Sequence, residues 1–217
     1  LGADFKKHFE LDDYILDVSI TPNRGDLLSI YGMAREARGI FEESSLEPLP
    51  EYPEGNEEWP FFFKGITQND HLCPYFALGL FTNLSIAPSP LDAQICLVKH
   101  GIRPISNVVD ATNLAMLAIG QPLHAYDAEL LPEKEITVRT AYDGEHLKTL
   151  DGKDRLLSPE DLCITSGKMP VGLAGVMGGE STEIRNSRKV LALESAIFNR
   201  EMIGATSRRM GLHSEAS

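Results

Sequence analysis

Several things are scarce in this chain of 217 residues, and each scarcity closes a class of function. There are three cysteines, Cys73, Cys96 and Cys163, widely separated and without a Cys-x-x-Cys pair, so neither a disulfide framework nor a zinc ribbon is supported. That usage fits a reducing compartment, and the expected location is the cytosol. No apolar run approaches the roughly 20 residues needed to cross a bilayer. The start, Leu1-Gly2-Ala3-Asp4, has neither a basic region nor an initiator Met, and the expectation is a fragment or a processed chain. Basic residues are the scarcer charge, 20 Lys and Arg against 32 Asp and Glu, for a net charge of -12. Such a surface does not wrap a nucleic acid by bulk electrostatics. The deficit is uneven: residues 1 to 100 carry seven Lys and Arg against 16 Asp and Glu, and residues 101 to 217 carry 13 against 16. The second half therefore meets a short anionic end without strong repulsion.

What is present is an ordinary soluble composition, 42% hydrophobic and 24% charged, enough for a sizeable core and one or two domains. The alternation of Tyr14 to Ile20 predicts a strand, followed by turn chemistry at Thr21-Pro22-Asn23-Arg24-Gly25. A helix is expected next, capped by Asp26, with Leu27, Ile30, Tyr31 and Ala34 at helical spacing and Gly39 as its stop. The tripeptide Arg24-Gly25-Asp26 is too short to read as an adhesion motif. From Glu42 to Trp59, seven glutamates broken by Pro48, Pro50 and Pro53 read as a linker or long surface loop. Strands are expected at 61–66 and 75–81. Ser89 as cap with Pro90 at the first helical position announces a helix to about His100 and Gly101, and Ser106 announces another toward Ala118, stopped by Gly120.

Beyond Gly120 the pattern turns to strands: 136–141, a hairpin of 147–150 with 155–157 around Asp151-Gly152, then 162–165, 170–177 and 189–198. A closing helix spans 199–210. Helices followed by a run of strands make this α+β, with no internal repeat.

Three places carry possible chemistry. Glu194 is a lone carboxylate in the apolar run 190–198, and in a strand it shares a face with the small Ala192 and Ala196. A buried carboxylate costs several kcal/mol unless something supplies a donor, so the readings are an edge strand, a structural ion pair, or a ligand site. The glycine-rich stretch Gly172 to Gly179 lacks the Gly-Lys-Ser/Thr ending of a phosphate loop. It reads either as a strand ending in a turn or as a strand whose missing side chains at Gly172, Ala174 and Gly175 let a flat ligand approach. His124, in Gly120-Gln121-Pro122-Leu123-His124-Ala125-Tyr126-Asp127, is expected in a loop after a helix end, as a functional group or as a satisfied structural histidine. Thr112, twelve residues earlier, can approach it if the chain doubles back after Gly120. Covalent catalysis has little support: there is no Gly-x-Ser-x-Gly elbow, no His-Glu-x-x-His, and Cys163 sits in an apolar strand.

The blocks Thr21-Pro22-Asn23-Arg24 with Asp26, Arg103 to Asp110, Gly120 to Asp127, Leu147 to Gly152, Gly172 to Gly179 and Arg208 to Ser217 resemble, in this order, the β subunit of bacterial phenylalanyl-tRNA synthetases. The likeness is dense from Arg103 onward, present at 14–40 and weak in the acidic linker, with Gly25 and Ala111 as mild departures. It implies a B3/B4-type domain, helices with a mostly antiparallel, multi-stranded, barrel-like unit. By that resemblance, 1–41 is an N-terminal strand and helix, 42–59 the linker, 60–198 the main domain and 199–217 a helix leading into the next domain. The implied activity is editing, hydrolysis of tyrosine wrongly esterified to phenylalanine tRNA. By motif, Thr112 and His124 fall on catalytic positions, and Glu194, Ala174, Gly175 and Gly178 on substrate-binding ones. The implied partners are the 3′ end of aminoacylated tRNA(Phe) and a synthetase α subunit, with no membrane. No cofactor or metal is implied for this region, ATP and Mg²⁺ belonging to the parent enzyme. A non-catalytic docking scaffold and a free-standing editing protein are the competing readings.

Overall fold

The computed structural model describes residues 2–9, 11–41, 43–51, 64–67, 71–184 and 190–212, and the chain divides into two compact units, 1–49 with 87–121 and 50–86 with 122–217. Expectations at 42, 52–63, 189 and 213–217 fall outside the described residues.

The first unit is helical. It holds α1 (Phe5–His8), α2 (Ile30–Ile40), α3 (Leu91–Lys99) and α4 (Asn107–Ile119), with α4 packed against α2 and α3. Ser106 caps α4 by accepting from the Val109 amide, and Gly120 closes it in the left-handed region at φ 79°, which a β-carbon disfavours. The buried Asp110 ties this start to the preceding chain: its carboxylate accepts from Ser89 Oγ at 2.5 Å and from the Ile105 amide at 2.8 Å. Two caps differ from expectation. Ser29, not Asp26, caps α2, because Asp26 is held by the guanidiniums of Arg24 and Arg35. Ser89 spends its hydroxyl on Asp110, so α3 starts after Pro90 with no side-chain cap. The expected strand at 14–20 is irregular chain, with Tyr14 93% exposed and Leu16 83%. A strand needs a ladder partner, and the described part of this unit offers only helices.

The second unit holds β1 (Lys64–Thr67), β2 (Tyr75–Phe81), β3 (Leu123–Asp127), β4 (Glu135–Thr140), β5 (His146–Lys148), β6 (Asp154–Leu156), β7 (Leu162–Ser166), β8 (Met169–Leu173), β9 (Met177–Gly178), β10 (Leu191–Ile197) and α5 (Arg200–Met210). They form a five-stranded sheet in the order β1-β4-β7-β8-β9, a three-stranded sheet β2-β10-β3 and the hairpin β5-β6. Every pairing is antiparallel except β1 with β4. The α+β expectation holds: α1 to α4 gather in one unit and the strands, with α5, in the other, although β1 and β2 precede α3 along the chain. The compact units nevertheless cut the chain differently from the sequence blocks, since α3 and α4 group with the N-terminal residues.

The core lies between the two larger sheets, where Tyr126, Ile136, Val138, Val171 and Ala192 are almost wholly excluded from water. Asn199 caps α5 by accepting from the Glu201 and Met202 amides. Asp161, 1% exposed, anchors the helix by accepting from Thr206 Oγ1 at 2.7 Å and from Arg209, and it also takes the Ser158 amide at 2.7 Å.

Candidate functional site

The three-stranded sheet assembles the site. β10 lies between β2 and β3, and its register opposes Glu194 to His124 and Leu78, and Ala192 to Tyr126 and Leu80. Directly opposed residues share a face, so one side carries Glu194, His124 and Tyr126 among alanine and leucine side chains. His124 was expected in a loop. It sits in a strand because β10 supplies the ladder for 123–127, a partner some 70 residues further along the chain.

The carboxylate is only 5% exposed, and Oε2 accepts a hydrogen bond from the buried hydroxyl of Tyr126. No cation pairs with Glu194 among the described residues, so the structural ion pair is not what holds it. The His124 ring stands edge-on to Tyr126, centroids 4.5 Å apart and planes at 76°. Among the described residues no hydrogen bond reaches either ring nitrogen, which leaves both for water or a ligand.

The glycine-rich stretch lies against these rings. Gly172 on β8 pairs with Gly178 on β9. A β-carbon at Gly178 would fall 2.5 Å from His124 Nε2, whereas one at Gly172 would meet the Tyr126 hydroxyl at an ordinary 3.8 Å. Gly178 is therefore the position where the absent side chain makes room for His124. Gly175 turns the chain between β8 and β9 at φ +64°, and its bare side faces Phe198 and Ile203 at 3.3 Å. Ala174 is buried in the core. Thr112 belongs to the other compact unit, on α4, where its hydroxyl donates to the Val109 carbonyl at 2.7 Å.

The electrostatics follow from burial. Loss of water pushes the Glu194 carboxyl up to about 7, with the Tyr126 hydrogen bond pulling the other way. Burial pushes the His124 imidazole down to about 4, the residue keeping partial exposure. Tyr126 is held well above the usual phenol range, first by burial and then by the Glu194 charge. The proton between the two oxygens thus stays on the phenol, and Tyr126 is the donor. Burial also pushes the Cys163 thiol up to about 12, which removes it as a nucleophile near neutrality. No group of three or more His, Cys, Asp or Glu among the described residues is spaced to hold a metal ion, and no helix among them is long and apolar enough to cross a membrane.

Sequence reasoning did not single out Tyr126. Once 123–127 is a strand, its period of two puts Tyr126 on the same face as His124, a relation hidden while the stretch reads as a loop.

The family model described as the B3/4 domain matches residues 72–217. Over its whole length the chain is 42% identical to the phenylalanine–tRNA ligase beta subunit of Carboxydothermus hydrogenoformans and 44% identical to that of Lactiplantibacillus plantarum, spanning 27% of each of those proteins. The beta subunit of Streptococcus pneumoniae serotype 4 is also 44% identical, with the same 27% spanned. A crystal structure of an N-terminal fragment of the phenylalanyl-tRNA synthetase beta-subunit from Pyrococcus horikoshii aligns at a TM-score of 0.47 and 15% identity, covering 87% of this chain and 59% of that one. The family match alone covers well over half of the residues: the chain belongs to the B3/4 domain family.

Proposed function

We propose that the chain is the editing region of a phenylalanyl-tRNA synthetase β subunit and hydrolyses the ester of tyrosine wrongly attached to tRNA(Phe). The observation that carries this reading is the buried hydrogen bond from the Tyr126 phenol to Glu194. It is a carboxylate in a dry, apolar setting that takes a phenolic hydroxyl, which is the one group tyrosine has and phenylalanine lacks. A hydrophobic synthetic pocket rejects an added hydroxyl poorly, whereas a second site that demands the hydroxyl selects the error. Tyrosine satisfies Glu194; phenylalanine leaves a desolvated carboxylate short of a donor.

His124 orients water in this reading. Its imidazole, pushed down to about 4, is uncharged near neutrality and a weak base, so positioning suits it better than proton abstraction. The aminoacyl ester is itself reactive, and the terminal ribose hydroxyl assists. Gly178 gives His124 its place, while a slot for the ring at the Ala174-Gly175 backbone rests on the resemblance alone. The role of Thr112 rests on the resemblance alone. The partners are then the 3′ end of the charged tRNA and the α subunit, and ATP and Mg²⁺ serve the parent's synthetic site. The relatives' names support this reading; they are beta subunits of a ligase for this amino acid and tRNA.

The test is release of tyrosine from Tyr-tRNA(Phe) and of phenylalanine from Phe-tRNA(Phe) by the full-length enzyme carrying Glu194→Ala or His124→Ala. The expected result is a loss of about 100-fold in tyrosine release for either variant. Unchanged release in both sinks the site assignment.

A further inference from the structure

We propose that Tyr126 is a specificity-determining positioning residue: its hydroxyl holds Oε2 of Glu194 in the carboxylate form and leaves Oε1 to accept the phenol of a tyrosyl ester. The inference rests on the editing reading and adds to it a residue that neither sequence motif nor family resemblance singled out.

Three features of the geometry carry it. Tyr126 is fully buried on the strand next to Glu194, and its hydroxyl is the only side-chain partner of that carboxylate among the described residues. A carboxylate has two oxygens and about four acceptor positions, so one phenol on Oε2 fills one of them and leaves room for a second donor. Tyr126 is also fixed in place, packed edge-on against His124 and faced by Gly172 on β8. A donor that cannot swing away keeps one oxygen occupied whether or not substrate is bound. The remaining acceptor then has a defined direction, which a solvated glutamate lacks.

The second consequence concerns charge. Among the described residues, the titratable groups facing Glu194 are His124 and Tyr126, both on β3. β2 brings Phe76, Leu78 and Leu80, and β8 and β9 bring Gly172 and Gly178. Among the described residues the Tyr126 hydroxyl is thus the one neighbour that favours the ionised form against burial. An ionised Glu194 is an acceptor only and discriminates for a hydroxyl. A protonated one also donates, and it tolerates phenylalanine. Selectivity for the tyrosyl ester should therefore rise with pH through the Glu194 titration.

The experiment uses the full-length enzyme and follows the ratio of tyrosine to phenylalanine release against pH. Tyr126→Phe removes only the hydroxyl. Its expected effect is an upward move of the selectivity midpoint by at least one pH unit, with a lower ratio at pH 7 and recovery at higher pH. Replacement of Tyr126 by 3-fluorotyrosine, a stronger donor of the same shape, should move the midpoint down, and this arm stands even if Tyr126→Phe folds poorly. Midpoints that stay at the wild-type value in both variants overturn the proposal. Glu194→Ala is run in parallel to separate the two failures. If that variant abolishes selectivity while the Tyr126 variants leave the midpoint fixed, editing stands and the role of Tyr126 falls. If Glu194→Ala changes nothing, the editing reading falls first.

Discussion

Buried carboxylates at three places in this molecule are treated differently. Asp161, at the anchor of α5, takes a hydroxyl, a guanidinium and a backbone amide. Asp110, at the start of α4, takes a hydroxyl and a backbone amide. Glu194 takes a single phenol and lies among alanine, leucine and glycine. The first two have donors from their own surroundings and tie elements together. The third is undersupplied, and burial has pushed it up to about 7. Set beside Asp161 with three donors and Asp110 with two, Glu194 with one keeps acceptor capacity for a donor that arrives from outside.

The comparison can be broken at its structural end first. Asp161→Ala should cost about 3 to 4 kcal/mol of stability in urea denaturation, because three donors lose their acceptor at once. Its effect on the ratio of tyrosine to phenylalanine release should be small. A large change in that ratio, with stability intact, would erase the distinction between the anchor and the site.

A pH experiment sharpens the other end. For Glu194 the carboxyl ionises near 4.5 unfolded and near 7 folded, so between these values the unfolded chain holds fewer protons and stability falls as pH rises. For His124 the imidazole titrates near 6.5 unfolded and near 4 folded, so the unfolded chain holds more protons and stability rises with pH over almost the same window. The two slopes oppose each other, and the wild type should be nearly flat between pH 4.5 and 6.5 as far as this pair is concerned. Glu194→Gln unmasks His124: stability should drop by roughly 2 to 3 kcal/mol, relative to wild type, on acidification from pH 6.5 to 4. His124→Gln should do the reverse, losing stability as pH rises from 4.5 to 7. Parallel curves for all three proteins would mean that neither group is desolvated as described.

Gly178→Ala is a subtler probe. Its β-carbon meets the imidazole, so the ring must shift, at about 1 to 2 kcal/mol in stability and roughly tenfold in tyrosine release. Gly172→Ala meets only ordinary contact distances and should leave release nearly unchanged. A modest effect is expected from Ser89→Ala, about 1 kcal/mol in stability, since Asp110 keeps its amide donor.

Much of this was legible in the sequence where the signal is local. Ser106 and Gly120 bound α4 as read, because a cap and a left-handed stop act within one turn. The strand at 75–81 and the hairpin around Asp151-Gly152 followed from alternation and turn chemistry. Glu194 stood out because a charge in an apolar run is an anomaly in any fold. What was hidden depends on partners far along the chain. The stretch 14–20 alternates like a strand but has nothing described to pair with. Residues 123–127 look like a loop and become a strand because β10 pairs with them. Tyr126 could not be joined to Glu194 without that pairing, and the glycine that matters most to His124 is Gly178 rather than Gly175, whose bare side meets α5.

The central claim is that the undersupplied carboxylate, and not the anchored ones, chooses the substrate. It is tested most directly by the ratio of kcat/KM for deacylation of Tyr-tRNA(Phe) over Phe-tRNA(Phe), measured side by side in full-length enzymes carrying Glu194→Ala and Asp161→Ala. The account predicts that Glu194→Ala lowers the ratio by about 100-fold, while Asp161→Ala destabilises and leaves the ratio close to wild type. A ratio that survives in Glu194→Ala, or falls equally in both variants, would contradict it.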